Sequence, residues 1–137
     1  MIKVQIEILD GELDIEIKKD KDQYFILVIL SKSGYYKENG RAWNGKTMDE
    51  PKVLEITYLI RECYTKPSIP ERITICDGMA ARISLKEEGS EVSFTILNNF
   101  DEGTFELQLL QTLFDLVNEM ILDTDLKKYS RVFGYLK

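Results

Sequence analysis

The chain has 137 residues, enough for one domain with its own core, and its 44% hydrophobic and 31% charged residues are those of a globular protein. It contains no histidine, which excludes Ser–His and Cys–His nucleophile systems and removes the commonest general base and transition-metal ligand. A net charge of −6 argues against a nucleic-acid partner, whose phosphates it would repel, and favours a protein partner with a basic surface.

Residues 2–18 read as a hairpin. Ile2, Val4, Ile6 and Ile8 alternate with polar residues, and so do Leu13, Ile15 and Ile17. Asp10-Gly11 between the runs is a favoured pair for a tight two-residue turn. That turn sets Ile8 opposite Leu13, Ile6 opposite Ile15 and Val4 opposite Ile17, every inward pair aliphatic. On the other face it sets Glu7 opposite Asp14, with Glu12 and Glu16 nearby. This acidic patch is a candidate binding surface for a cation-bearing partner; otherwise it is a solvated sheet face.

A polar turn at Lys19 to Asp22 leads into YFILVIL, residues 24–30. The run is apolar on both sides and reads as a strand that is central or covered on both faces. Residues 31–48, rich in Gly, Asn and Lys, read as a long loop or an irregular edge hairpin. They hold Tyr35, Tyr36, Arg41 and Trp43, residue types enriched at protein-binding hot spots and equally suited to roofing a small core. Asp49-Glu50-Pro51 then opens a helix to about Tyr64, with Val53, Ile56, Ile60 and Cys63 on one face. Pro67 and Pro70 end it.

The second half repeats the plan. Ile73 and Ile75 precede Asp77-Gly78, a strand follows, then an acidic turn at Lys86 to Ser90 and another strand at Glu91 to Leu97. A three-residue turn, Asp77 to Met79, would pair Ile75 with Ala81 and Ile73 with Ile83. Thr104 to Leu122 reads as a helix with an unusually wide apolar band, from Phe105, Leu109, Leu113, Leu116 and Met120 through Leu110, Phe114, Val117 and Ile121. The band implies heavy burial against the sheet; its surplus would serve a homodimer interface. Residues 98–125 carry seven acids and no base, and residues 126–137 four bases and no acid. The tail, SRVFGYLK, reads as an edge strand or a packed extended segment.

Two cysteines, Cys63 and Cys76, are too few and too far apart for a disulfide framework or a zinc site, and no motif asks for a metal or cofactor. No apolar run approaches the ~20 residues of a membrane span. The alternating N-terminus lacks the continuous apolar block of a signal peptide, so a cytoplasmic protein is expected.

Residues 40–47, GRAWNGKT, match the phosphate-loop pattern through Gly40, Gly45, Lys46 and Thr47. A working phosphate loop joins a buried parallel strand directly to a helix whose bare N–H groups face the phosphates. Here the nearest strong strand ends too early, and Asp49 and Glu50 bring negative charge to the helix start. Nucleotide or small-ligand binding through residues 35–47 is therefore the secondary expectation, and an enzyme relying on carboxylates alone the third.

The hairpin sequence ICDGMAARISL followed by a hydrophobic C-terminal helix, roughly residues 70–122, resembles small acidic bacterial α+β domains, some of which resemble immunity proteins of toxin systems. That resemblance implies a stoichiometric inhibitor, acidic because its toxin is basic. Taken together, the expectation is one α+β domain over residues 1–137. Two β-β-β-α halves would form an antiparallel sheet of about six strands covered by the 49–64 and 104–122 helices. It would bind another protein without catalysis.

Overall fold

The computed structural model describes residues 1–8, 11–33, 41–47, 50–67, 80–97 and 103–120. They form strands β1 (Ile2–Ile8), β2 (Gly11–Asp20), β3 (Gln23–Ser33) and β4 (Arg41–Thr47), helix α1 (Glu50–Thr65), strands β5 (Ala80–Glu87) and β6 (Ser90–Leu97), and helix α2 (Phe105–Met120). The strands make one sheet in the order β4-β3-β2-β1-β5-β6, every neighbouring pair antiparallel. The fold is α+β, with six antiparallel strands and two helices, as the sequence predicts.

The helices occupy one side of the sheet and pack against each other, α1 also touching β5 and β6, and α2 touching β4. The alternating strands turn their aliphatic residues to that side. The row Trp43–Val28–Ile15–Val4–Ile83–Phe94 crosses all six strands, and its first five members are buried. Val53, Ile56, Leu59, Ile60 and Cys63 of α1 close over it, with Leu109, Leu110, Leu113, Leu116 and Val117 of α2. Each fully buried aliphatic side chain contributes roughly 1.5–3 kcal/mol. Among the described side chains of α2 the apolar band is used inside the chain, and the exposed positions are the polar Gln108, Gln111, Asp115 and Glu119.

Local chemistry sets the ends of these elements. Pro51 lies in the first turn of α1, where its missing N–H would have had no helical acceptor. Thr104 caps α2: its Oγ1 accepts a hydrogen bond from the Leu107 amide at 3.3 Å. The β2–β3 turn is Lys21-Asp22, and Lys21 takes the left-handed conformation with φ of 56°. The β5–β6 turn uses Gly89 for the same purpose, with φ of 78°.

The expected register of the first hairpin is corrected by two residues. Ile2 pairs with Ile17, Val4 with Ile15 and Ile6 with Leu13, and Gly11 is the first residue of β2, not a turn centre. The expected register would have set Lys3 opposite Lys18 and Ile2 opposite Lys19. The observed one sets Lys3 opposite Glu16, and the pair forms a salt bridge of 3.5 Å. A shift of two preserves the side-chain period, so each residue keeps its face.

The second half also differs from the expected plan. Both edges of β5 are taken, by β1 and by β6, so Ala81 pairs with Ile6 and Ile83 with Val4 in place of Ile75 and Ile73. Two runs that read alike as local hairpins are here joined by a long-range pairing. Residues 41–47 form an edge strand paired with residues 24–30 of β3, which gives the first half four strands instead of three. Ile73, Ile75, Asp77-Gly78, Cys76 and the 126–137 tail lie outside the described residues.

Candidate functional site

The face of the sheet opposite the helices is built by the other half of each strand alternation. Two rows cross all six strands there, Asn44–Leu27–Glu16–Lys3–Ser84–Ser93 and Ala42–Ile29–Asp14–Gln5–Arg82–Thr95. Read along the strands, the face divides into columns. On β3, Phe25, Leu27 and Ile29 form an apolar column, with Phe25 42% exposed and the other two half-buried. On β2 beside it, Glu12, Asp14 and Glu16 form an acidic column that ends in Lys18; Leu27 and Ile29 pair with Glu16 and Asp14, and Phe25 lies between Lys18 and Lys46 of β4. Lys3 and Gln5 follow on β1, and Arg82 and Ser84 on β5. Alternate residues stand ~7 Å apart along a strand, and neighbouring columns ~4.8 Å apart. A groove of about 410 Å³ runs over this face, lined by Lys3, Gln5, Asp14, Glu16, Ile29 and Arg82 among others.

The charges on the face are partly compensated. Glu16 lies 3.5 Å from Lys3 and 4.0 Å from Lys18, and Gln5 Nε2 donates to Glu12 Oε1. Asp14 sits between the two glutamates on its own strand. Burial, then Glu12, then Glu16 push its carboxyl above the usual 3.8, and Lys3 opposes them. The folded protein therefore holds this carboxylate at a cost.

The structure brings together Glu12, Asp14 and Glu16 of the sequence-derived acidic patch. Glu7, expected opposite Asp14, is the strand partner of Glu12, and Gln5 takes the place opposite Asp14. Of the aromatic cluster, the side chain of Trp43 is described. Trp43 faces the helices and is only 6% exposed, which makes it part of the core roof. Arg41 is the first residue of β4, while Tyr35 and Tyr36 lie outside the described residues.

The phosphate-loop string is laid out differently from a phosphate loop. Gly45, Lys46 and Thr47 belong to an antiparallel edge strand, opposite Ile26, Phe25 and Tyr24, and α1 begins only at Glu50. Gly40 lies outside the described residues.

The apolar column is the part of this face that sequence reading missed. YFILVIL reads as a strand that is central or covered on both faces; β3 is an inner strand with a neighbour on each edge, and among the described residues the helices lie on one of its faces. The signal was the exposed alternate set, Phe25, Leu27 and Ile29, in register with polar sets on every other strand. Lys3, Gln5, Arg82, Ser84 and Ser93 were missed because only pairing places them beside the acidic column.

Elsewhere, Glu106 is buried in the first turn of α2, the end where the helix dipole favours an anion. Burial, then Glu106 and Glu62, push the Cys63 thiol up to about 12, which holds it protonated and poorly nucleophilic. Among the described residues no group of three or more His, Cys, Asp or Glu side chains is arranged to hold a metal, and no helix is long and apolar enough to cross a membrane. No protein-family model matches the chain, and no curated protein or solved structure is significantly similar to it.

Proposed function

We propose that this chain is a non-catalytic protein-binding domain whose docking surface is the open face of its sheet, and that its partner presents a basic surface. The observation that supports this reading is the exposed apolar column of β3, where Leu27 and Ile29 lie beside Glu16 and Asp14 of β2 and Phe25 lies between Lys18 and Lys46. An apolar strip beside carboxylates favours a partner with apolar contacts and opposite charge, because burial supplies affinity while charge supplies orientation and encounter rate. In its sharpest form the partner is a basic toxin and the chain its stoichiometric, immunity-type inhibitor in a bacterial cytoplasm.

A second reading, a carboxylate-dependent enzyme, draws on the raised Asp14 beside Glu16 in the groove. It ranks lower because the face is open to water and Glu16 is engaged by Lys3 and Lys18. Nucleotide binding through residues 35–47 ranks below both, since an antiparallel strand presents no bare helix end to a phosphate.

The test begins with the product of the adjacent gene. Co-expression and pull-down should give a 1:1 complex that weakens with salt. Phe25→Lys and Asp14→Lys should abolish it, whereas Leu54→Ser with Tyr58→Ser, on the exposed side of α1, should leave it intact. A complex indifferent to the sheet-face variants, or one lost only with the α1 variant, removes this reading.

A further inference from the structure

We propose that two copies of this chain pair through the outer edge of β6, antiparallel about a two-fold axis at Phe94, to make one continuous sheet. The inference concerns the edge of the sheet, goes beyond the reading of the open face, and leaves that face uncovered.

β4 and β6 are the edges of the sheet, each with one neighbour among the described residues. Proteins protect such edges with lysine, proline, bulges or short strands, because outward N–H and C=O groups accept another strand. β4 carries Arg41 and Lys46. β6 carries one charge, Glu91, in eight residues, has no lysine or proline, and pairs with β5 without a register shift.

The direction of the β6 backbone follows from its neighbours. The Lys86 amide donates to the Met1 carbonyl at 2.8 Å, and the Met1 amine donates to the Lys86 carbonyl at 2.7 Å. Lys86 therefore turns its backbone toward Met1 at the head of β1. Glu87, Leu85, Ile83 and Ala81 turn theirs the other way, toward β6, since the two directions alternate along a strand. Their partners Ser90, Val92, Phe94 and Ile96 are committed to β5. Glu91, Ser93 and Thr95 direct their backbone groups to the outer edge.

A two-fold axis at Phe94 makes this edge its own complement. Ser93 of one copy meets Thr95 of the other as a hydrogen-bonded pair, once on each side of the axis. Phe94 meets Phe94, and Val92 meets Ile96. Glu91 falls opposite position 97, so no like charges face each other along the strands. The apolar side of the edge adds to this fit. Val92 and Phe94 are partly buried at the margin of the core. Tyr64, near the end of α1, is 51% exposed, with its ring 6.5 Å from that of Phe94. The axis stands perpendicular to the sheet, so the helices of both copies lie on one side and both Tyr64–Phe94 pairs border it.

Sedimentation equilibrium of the full chain over a concentration series should show a monomer–dimer equilibrium. Added salt should not weaken it, because backbone and apolar groups make the contact. Thr95→Pro should raise the dimer Kd about tenfold or more, because the lost N–H serves the outer edge and not β5. Ser93→Lys with Thr95→Lys sets lysines opposite each other across the axis and should do the same. It repeats the test should the proline variant lower the melting temperature. Asn44→Lys, on the other edge, should change the Kd less than about twofold. Phe94→Cys in a Cys76→Ser background should form a disulfide-linked dimer on mild oxidation, since residues facing each other at the axis stand ~4.5 Å apart. Glu91→Cys in the same background should not. A chain that stays monomeric at every concentration overturns the proposal. So does a dimer indifferent to the β6 variants, one weakened equally by Asn44→Lys, or one cross-linked through Glu91→Cys and not through Phe94→Cys.

Discussion

Replacing Asp14 by Asn removes one charge from the middle of the acidic column while leaving size and strand propensity nearly unchanged. Glu12 and Glu16 lie two residues away on the same strand and face, ~7 Å from it by strand geometry. At that distance a like-charge pair in water repels by about 0.6 kcal/mol, and screening at physiological ionic strength reduces this to about 0.25 kcal/mol. Two neighbours give about 0.5 kcal/mol; Lys3 subtracts from this, and burial of the carboxylate adds to it. The sign follows from linkage. A carboxyl raised above 3.8 in the folded state favours folding when protonated, and that contribution is lost as pH rises through its folded value. Asp14→Asn should therefore stabilise the protein by about 0.5 kcal/mol near neutral pH and by nothing once the pH falls below the ordinary carboxyl value. In urea denaturation the midpoint should rise by about 0.3 M near pH 7 and coincide with wild type near pH 3. A variant less stable at neutral pH, or a gain of equal size at both, would refute the placement of Asp14 in a repulsive, partly desolvated site.

The Cys63 thiol, held up to about 12, should resist Ellman's reagent near pH 8 in a Cys76→Ser background and react only as the protein unfolds; rapid labelling of the folded protein would contradict its burial. Thr104→Ala should cost about 1 kcal/mol in thermal or urea unfolding through loss of the α2 cap, and Thr104→Ser should retain most of the stability. Lys21→Asn should stabilise by about 0.5 kcal/mol, because asparagine adopts the left-handed conformation at φ 56° more readily than lysine does. A destabilised variant would count against the strain assigned to that turn.

Much of the fold is legible from periodicity. The alternation in residues 2–8 and 13–17 gives strands with defined faces, and the i, i+3, i+4 spacing of Val53, Ile56, Ile60 and Cys63 gives the buried face of α1. The acidic column follows too, since a strand face is fixed by parity alone. Register is less legible. Both candidate registers of the first hairpin keep the aliphatic residues inward, and they are separated by pairs on the outer face, Lys3 with Glu16 against Lys3 with Lys18. Local turn preference for Asp10-Gly11 did not outweigh those pairs together with the second partner strand, β5, on the far edge of β1.

The sequence by itself determined which residues form strands and helices and which side of each is apolar, because those properties repeat every two or 3.6 residues along the chain. Tertiary structure alone decided which strands are neighbours, and hence that Ile83 meets Val4, that Leu27 and Ile29 stand beside Glu16 and Asp14, and that Phe25 stands between Lys18 and Lys46. Long-range pairing is chosen by the summed fit of whole strands and by where the helices come to rest. No short window of sequence contains that sum, so the open face becomes visible only once the six strands are set side by side.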